Sequence, residues 1–341
     1  MTQVRFAGRV PEQELMTSGH LACPGCAAPL AMRLVLKALG PNTIVVMPAS
    51  CWSIIAGPWP QSSLRVPLYH TAFETGAATA SGIRAALDVR GESDTTVMVW
   101  AGDGGTFDIG IQALSGAAER NEDILYVCYD NEAYMNTGIQ RSSATPWGAW
   151  TTTTPEDHPE ASPKKDMLAI MAAHRIPYLA TATVAYPLDL IEKVHKAHAV
   201  RGTRFLHILS PCPPGWKYAD EETIQLARMA VGCRVFPLVE VEAGRSWRVT
   251  FDPPPEPVGP YLHKQGRFRH LTEQHEVYIQ REVDARWEMI QQRVRESGGA
   301  PSDWEPAAGI DVGPDARQSG PSSQSSTAET AEEAASHPSN R

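Results

Sequence analysis

The residues best suited to chemistry in this chain are an aspartate in a glycine-rich turn and an asparagine in a later loop. The turn Gly102-Asp103-Gly104-Gly105 directly follows an apolar run and precedes a helical pattern. Glycines at such a junction let backbone N–H groups approach an anion, and the helix dipole favours phosphate there. Asp103, together with Asn131 after the next apolar run, supplies oxygen ligands for a hard cation. The pattern predicts a diphosphate and magnesium site.

Four of the six cysteines have positions that suit a metal centre. Cys23 and Cys26 form a Cys-x-x-Cys pair before a predicted helix, Cys51 follows one predicted strand and Cys212 follows another. Four such thiolates suit a structural zinc ion or an iron–sulfur cluster, and on spacing alone zinc is slightly favoured. A simple pair, with the other cysteines merely buried, is the third alternative. Cys233 competes as fourth ligand but lies beyond the last predicted strand.

Alternating strands and helices must position these residues. The predicted strands are nearly continuous apolar runs, typical of strands covered on both faces: Thr43 to Ala49, Thr95 to Ala101, Ile124 to Asp130, Tyr178 to Val184 and Phe205 to Ser210. The predicted helices are Ala27 to Leu39, Thr75 to Asp88, Phe107 to Arg120, Met167 to His174 and Pro187 to Val200. This alternation predicts an α/β fold with a doubly wound, mostly parallel sheet and helices on both faces.

Parallel strands in right-handed strand–helix–strand units run the same way, so their carboxyl ends meet at one edge of the sheet. We therefore expect Asp103 and Asn131 to lie within reach of one ion. Cys51 and Cys212 should lie at the same edge. Cys128 falls inside a predicted strand and is interpreted as a buried, inert thiol.

The chain divides into three predicted regions. Residues 1–215 form the cofactor and metal domain, and residues 216–296 form a C-terminal extension that packs on a neighbouring subunit. The extension contains a strand or two near 234–251 and a polar helix from Leu271 to about Glu296. Residues 297–341 are rich in Ser, Gly, Pro, Ala and Glu, and are predicted to be a disordered tail.

Composition limits the partners and the compartment. Of 341 residues, 42% are hydrophobic and 20% are charged, which is typical of a globular protein with a substantial core. The formal charge of −9 argues against a nucleic-acid partner. The sequence has no apolar run long enough to span a membrane and no signal-peptide pattern, so we expect no membrane association and a cytoplasmic location. Its cysteines should then be reduced, which disfavours disulfides.

Four segments carry a family resemblance: GDGG at Gly102–Gly105, NEAYMNTG at Asn131–Gly138, GIQRSSATP at Gly138–Pro146 and GAWTTTTP at Gly148–Pro155. The first two resemble the thiamine-diphosphate motif of pyruvate:ferredoxin oxidoreductases. The last two look like the β subunit of that 2-oxoacid:ferredoxin oxidoreductase family. The resemblance runs from about Leu21 to Leu271 and implies the diphosphate-binding module of the thiamine-diphosphate-binding fold.

The resemblance also implies roles for single residues. Mg²⁺ would be held by Asp103, the Asn131 side chain and the Ala133 carbonyl. The residues near thiamine diphosphate would be Gly102, Gly104, Gly105, Tyr134, Asn136 and Thr137. Asn136 would face the thiazolium and the substrate as the catalytic residue. A proximal [4Fe–4S] cluster would be held by Cys23, Cys26, Cys51 and Cys212, and a cofactor that yields electrons makes this cluster a better choice than redox-inert zinc.

The implied reaction is the pyruvate synthase reaction. It converts pyruvate, coenzyme A and oxidised ferredoxin to acetyl-CoA, CO₂ and reduced ferredoxin, and it is reversible. The chain has one thiamine module and no Cys-x₂-Cys-x₂-Cys-x₃-Cys-Pro run. An α subunit should therefore supply the activating Glu of the pyrimidine-binding module. Ferredoxin-like γ and δ subunits, or their equivalents, should carry electrons to ferredoxin or flavodoxin, so activity requires the hetero-oligomer.

Three alternatives stay open. The first is a non-oxidative thiamine decarboxylase or carboligase with a structural Cys₄ zinc site. The second is the same oxidoreductase acting on another 2-oxoacid, such as a branched-chain acid or oxalate. The third is a non-enzymatic Cys₄ zinc scaffold in which Asp103 and Asn131 are incidental. The sequence does not assign a role to His70 or Glu74, although the resemblance places both near the cofactor.

Overall fold

The computed structural model describes residues 10–58 and 60–298. Within them the strands form one eight-stranded sheet in the order β2-β1-β3-β4-β6-β5-β7-β8. Strands β1 to β6 are parallel, and β7 and β8 add an antiparallel edge. The strands are β1 (Thr43–Pro48), β2 (Leu68–Thr71), β3 (Thr96–Gly102), β4 (Leu125–Asp130), β5 (Tyr178–Thr183), β6 (Arg204–Leu209), β7 (Leu238–Glu242) and β8 (Ser246–Phe251).

Helices cover both faces of this sheet, which confirms the predicted doubly wound α/β class. They are α1 (Ala27–Leu39), α2 (Trp52–Ile55), α3 (Gly76–Val89), α4 (Ile111–Glu119), α5 (Met167–Ala173), α6 (Pro187–Ala199), α7 (Pro213–Trp216), α8 (Thr223–Gly232), α9 (Gly259–His263) and α10 (Glu273–Glu296). Successive side chains of β4 enter different cores: Leu125 and Val127 pack with α1 and α6, whereas Tyr126 and Cys128 pack with α3, α4 and α5. Alternate residues of a strand point to opposite faces, so a strand buried on both faces is apolar throughout.

The structure contains four helices that the sequence did not predict, α2, α7, α8 and α9, and departs from the expectation at two further places. Strand β2 was not predicted, because it has only four residues and lies half-exposed at the edge of the sheet. The helix predicted from Phe107 instead begins as a π-helical turn, Gly104–Asp108, before α4. Short π-helical segments occur often at functional sites. Here the turn begins within the glycine-rich segment, at Gly104.

The C-terminal part of the described chain joins the main sheet. Strand β7 pairs with β5, and β8 pairs with β7, so both extend the sheet that carries the site. Helix α10 ends at Glu296 as the sequence predicted and begins two residues later than predicted, at Glu273. The expected packing of residues 216–296 on a partner subunit stays a prediction. The tail expected beyond 296 lies, from residue 299 onward, outside the described residues.

Among the residues that the structure describes, no helix combines the length and the apolar character needed to cross a membrane.

Candidate active site

The predicted site residues follow four strands that are neighbours in the sheet. Strands β1, β3, β4 and β6 occupy consecutive positions and run in the same direction, so their carboxyl ends lie at one edge. Cys51 follows β1, Asp103 follows β3, Asn131 follows β4 and Cys212 follows β6. Ligand sites of open α/β sheets form at such an edge. The topology therefore brings together the loops that the sequence singled out.

Asp103 is a fully buried carboxylate with its own hydrogen-bond donors. The Ser142 hydroxyl donates to Oδ2, and the Asn131 backbone N–H donates to Oδ1 at 3.3 Å. Burial raises the pKa of Asp103 well above its usual value, and the nearby charge of Asp130 raises that pKa further. A bound cation would offset both effects, because an opposite charge favours the ionised carboxylate.

The oxygen atoms around Asn131 have the spacing of magnesium ligands. One end of the Asn131 side-chain amide lies 2.9 Å from Asp103 Oδ1 and 2.9 Å from the Ala133 carbonyl oxygen. If that end is the NH₂ group, it donates to both oxygens. If it is the oxygen, it faces two other acceptors, and a bound cation would offset their repulsion. Neighbouring ligands of an octahedral Mg²⁺, with bonds of roughly 2.0–2.1 Å, are about 2.9 Å apart, so these residues fit the ion.

A cavity of about 250 Å³ opens beside these oxygens. Cys51 and Met135 line this cavity. So does every residue predicted to contact the cofactor or its metal: Gly102, Asp103, Gly104, Gly105, Asn131, Ala133, Tyr134, Asn136 and Thr137. Gly104 cannot carry a side chain here, since a Cβ built on it would lie 2.2 Å from the Tyr134 ring. The Tyr134 hydroxyl donates to Asp108 at 2.8 Å, which fixes that ring against the glycine turn.

The Cys-x-x-Cys turn packs on the segment that carries Cys212. Gly25 within the turn has a φ of +69°, and a Cβ there would lie 2.3 Å from the Asp220 carbonyl oxygen. Only glycine satisfies both the left-handed backbone and this close approach. The Ala27 N–H, directly after Cys26, donates to the Pro211 carbonyl at 3.4 Å. The turn is therefore held beside Cys212.

The thiols of the four predicted ligands lie near enough for their charges to interact. Burial raises the pKa of Cys26 to about 11, and those of Cys51 and Cys212 to about 12. In each case, charges on others of the four thiols add to the rise. As placed in the described part of the chain, no three His, Cys, Asp or Glu side chains converge on a single metal ion.

The cofactor cavity and the cysteines share a wall. Cys51 lines the cavity directly. Met135 also lines the cavity. Its sulfur and Cys212 Sγ both lie close to Gly215, at 2.3 Å and 3.4 Å from the position that a Cβ on this glycine would take. Cys233 is buried in a core cluster formed by α8, α9 and their surroundings, and Met135 and Cys212 pack against the same cluster. Burial raises the pKa of Cys233 to about 12, and the charge that adds to this effect is that of Glu256, not that of another thiol.

The remaining sequence candidates lie at the margin of the site. Cys128 is buried within β4, as expected for an inert thiol, and burial raises its pKa. His70 is exposed on β2, and Glu74 lies in the turn before α3. Neither side chain lines the cavity; Phe73, between them, does.

Sequence reasoning missed a buried charge network behind the metal-ligand segment. Lys164 Nζ lies 2.6 Å from Asp130 Oδ2 and 2.7 Å from Glu132 Oε1. Burial alone would raise the pKa of Asp130, but Lys164 and His207 hold it below its usual range. Arg267 Nη2 pairs with Glu132 Oε2 at 2.6 Å. These residues come from distant parts of the chain, so no local sequence signal connects them.

Known proteins are similar to this chain over most of its length. The family model described as "Thiamine pyrophosphate enzyme, C-terminal TPP binding domain" matches residues 51–208. The ketoisovalerate oxidoreductase subunit VorB of Pyrococcus abyssi is 50% identical over 292 residues, which cover 82% of this chain and 94% of that protein. The pyruvate synthase subunit PorB of Methanothermobacter thermautotrophicus is 50% identical over 281 residues, which cover 81% of this chain and 97% of that protein.

A solved structure supports the fold. The 2-oxoglutarate:ferredoxin oxidoreductase from Magnetococcus marinus matches with a TM-score of 0.52 at 22% identity, covering 65% of this chain and 81% of that chain. The sheet topology and the matched domain together define a thiamine-diphosphate-dependent module of the α/β class. The chain belongs to the family of PorB and VorB, the β subunits of 2-oxoacid:ferredoxin oxidoreductases.

Proposed function

We propose that this chain is the thiamine-diphosphate- and [4Fe–4S]-carrying β subunit of a pyruvate:ferredoxin oxidoreductase. The complex would convert pyruvate, coenzyme A and oxidised ferredoxin to acetyl-CoA, CO₂ and reduced ferredoxin, reversibly. One observation carries the proposal: the oxygens of Asp103, Asn131 and Ala133 line the same cavity as Cys51. A diphosphate–metal site and a candidate electron acceptor thus share one wall.

In this proposal Asp103, Asn131 and Ala133 hold Mg²⁺, and the glycines of the 102–105 turn approach the diphosphate. The thiamine ring supplies, when bound, the carbanion that adds to the keto carbon of the substrate. Asn136 is exposed on the turn that follows Met135 and lines the cavity, so its amide is placed to donate a hydrogen bond to the reacting groups. Tyr134 and Thr137 line the same wall.

The four clustered cysteines, Cys23, Cys26, Cys51 and Cys212, would hold a [4Fe–4S] cluster. Thiolate is the ligand that such clusters require. The raised thiol pKa values mean that these groups lose protons only when a metal compensates the charge, which is the usual coupling of metal binding to deprotonation. Bound there, the cluster would accept electrons across the wall formed by Cys51 and Met135.

The relatives are named as subunits, which supports activity within a larger assembly. We infer an α subunit that supplies the activating Glu, and ferredoxin-like γ and δ subunits that pass electrons to ferredoxin or flavodoxin. Among the described residues, Asp103 is the one carboxylate that lines the cavity, and the proposed metal site uses it. The activating Glu is therefore expected from another subunit. We propose a cytoplasmic location for the complex.

A second substrate has its own support. The VorB relative is named for ketoisovalerate and the PorB relative for pyruvate synthase, and both are 50% identical to this chain. A branched-chain 2-oxoacid is therefore the alternative to pyruvate. Residues that bind the substrate carboxylate are expected partly on the α subunit, so the β subunit alone does not fix the choice.

The test is anaerobic co-purification of this chain with its partner subunits, followed by iron and sulfide analysis. Dye reduction is then assayed with coenzyme A and either pyruvate or ketoisovalerate. We expect coenzyme-A-dependent dye reduction, fastest with pyruvate, and about four fewer irons per complex in Cys51→Ser. Decarboxylation without dye reduction or iron on this chain would support the zinc-containing decarboxylase. Thiamine-diphosphate binding that survives Asp103→Ala would support the non-enzymatic scaffold.

A further inference from the structure

We infer that Glu132 is a positioning residue for the magnesium site: its buried carboxylate, clamped between Lys164 and Arg267, sets the backbone turn that aims Asn131 and Ala133 at one ion. The inference rests on the proposed thiamine-diphosphate and Mg²⁺ site. It concerns a residue that lies between two of the proposed ligands and contributes no ligand atom itself.

The backbone at Glu132 is left-handed. Its φ is +66°, a conformation that is unfavourable for residues other than glycine, Asn and Asp. This reversal puts the Ala133 carbonyl oxygen 2.9 Å from the Asn131 amide. A glutamate in this conformation indicates that its side chain supplies compensating interactions, since strained backbone persists where its surroundings hold it.

The Glu132 carboxylate has a cation on each oxygen. Oε1 lies 2.7 Å from Lys164 Nζ, and Oε2 lies 2.6 Å from Arg267 Nη2. The side chain is only 3% exposed, so water competes little for either contact. Arg267 also stacks on Trp216, 3.9 Å from the ring centre, and the Trp216 indole donates to the Asn131 carbonyl at 2.8 Å. The clamp therefore contacts Glu132 directly and Asn131 through Arg267 and Trp216.

The main-chain polar groups around Glu132 are also satisfied. The Glu132 N–H donates to Asp130 Oδ1 at 2.9 Å, and the Thr145 hydroxyl donates to the Glu132 carbonyl at 2.8 Å. Together with the bonds at Asn131, these contacts use the N–H and C=O of two successive residues. The polar groups left to face the ion are the Asn131 amide and the Ala133 carbonyl. The side-chain clamp and these main-chain bonds together fix which oxygens the segment presents.

Two substitutions separate the clamp from the backbone shape. Glu132→Gln keeps the side-chain volume but removes the charge that holds Lys164 and Arg267. Glu132→Gly makes the left-handed backbone easy but deletes the clamp entirely. If the clamp positions the ligands, both variants should bind Mg²⁺ about 10–100-fold more weakly, the range typical of residues that orient metal ligands.

Binding is measured on the full complex with its partner subunits, as the quenching of tryptophan fluorescence when Mg²⁺ is added at saturating thiamine diphosphate. The expected signature is a weaker Mg²⁺ affinity with an unchanged number of thiamine sites. Reduced stoichiometry with unchanged affinity would indicate partial unfolding and would overturn the inference. Thr145→Val removes the bond to the Glu132 carbonyl and the acceptor of the Ser142 N–H but leaves the carboxylate clamp in place, so it is the milder variant and should lose a few-fold in affinity.

Asp189→Asn is the matched control, because Asp189 pairs with Lys193 at 2.7 Å in an equally buried ion pair on α6. It should destabilise the protein and leave Mg²⁺ affinity unchanged. Wild-type affinity in Glu132→Gln or in Glu132→Gly would overturn the inference, as would an equal loss in Asp189→Asn. Failure of the wild-type complex to bind thiamine diphosphate with Mg²⁺ would instead refute the proposed function itself, so the two failures are distinguishable.

Discussion

The indole nitrogen of Trp216 donates a hydrogen bond of 2.8 Å to the main-chain carbonyl of Asn131. Trp216 ends the short helix α7, which begins directly after Cys212. Asn131 begins the segment that carries the proposed magnesium ligands. This hydrogen bond therefore joins the loop of the proposed fourth cluster ligand to the loop of the proposed magnesium ligands.

Replacing Trp216 by Phe tests this connection. The ring that Arg267 stacks on is largely retained, while the donor to Asn131 is lost. A hydrogen bond of this kind contributes about 1 kcal/mol, so we expect Mg²⁺ affinity to fall roughly 5-fold. Trp247→Phe is the control, because Trp247 also stacks with an arginine, Arg293, but lies in another core cluster. Equal losses in the two variants would contradict the prediction.

The fourth cluster ligand is tested by two serine variants. Cys212→Ser should lose about four irons per complex and the visible absorbance of the cluster. Cys233→Ser should keep both, since Cys233 is buried, does not line the cavity, and its pKa shows no influence of the other thiols. Iron analysis of the anaerobically purified complexes distinguishes the two. The reverse pattern would show that Cys233 is the ligand.

Gly104→Ala should block the cofactor. The added Cβ would lie 2.2 Å from the Tyr134 ring, which the bond to Asp108 holds in place, so the ring must shift and the cavity wall that it forms must change. We expect thiamine-diphosphate affinity to fall at least about 10-fold, equivalent to roughly 1.4 kcal/mol, as measured by calorimetry. Gly82→Ala, within α3 and with open space around it, is the control and should leave affinity unchanged.

Lys193 gives a prediction of pH dependence. Burial lowers its pKa from 10.5 to about 8, against the opposing effect of Asp189. Between these values the unfolded chain holds this proton and the folded chain releases it, so this group makes the protein more stable as the pH rises. The free energy of unfolding of the wild type, relative to Lys193→Met, should increase by up to about 3 kcal/mol between pH 8 and 10.5. Urea titrations measure it; a flat or falling difference would contradict the assignment.

The sequence predicted the parts of the site that depend on topology. Asp103 and Asn131 follow adjacent parallel strands, and the connection rules alone bring such positions together. The contact between Glu132 and Arg267 was not predictable, because Arg267 follows the main alternation of strands and helices, and its position depends on how the C-terminal segments fold back. Strand β2 was missed for a different reason: an edge strand that is half-exposed lacks the continuous apolar run of the inner strands.

Strands β1, β3, β4 and β6 place the proposed ligands on main-chain spacings that the sheet fixes. In this proposal the cofactor and cluster sites depend on the sheet edge, whereas the choice of substrate depends on the exposed turns and on the companion chain. Such a division accords with the 50% identity of this chain to one relative named for ketoisovalerate and to another named for pyruvate synthase.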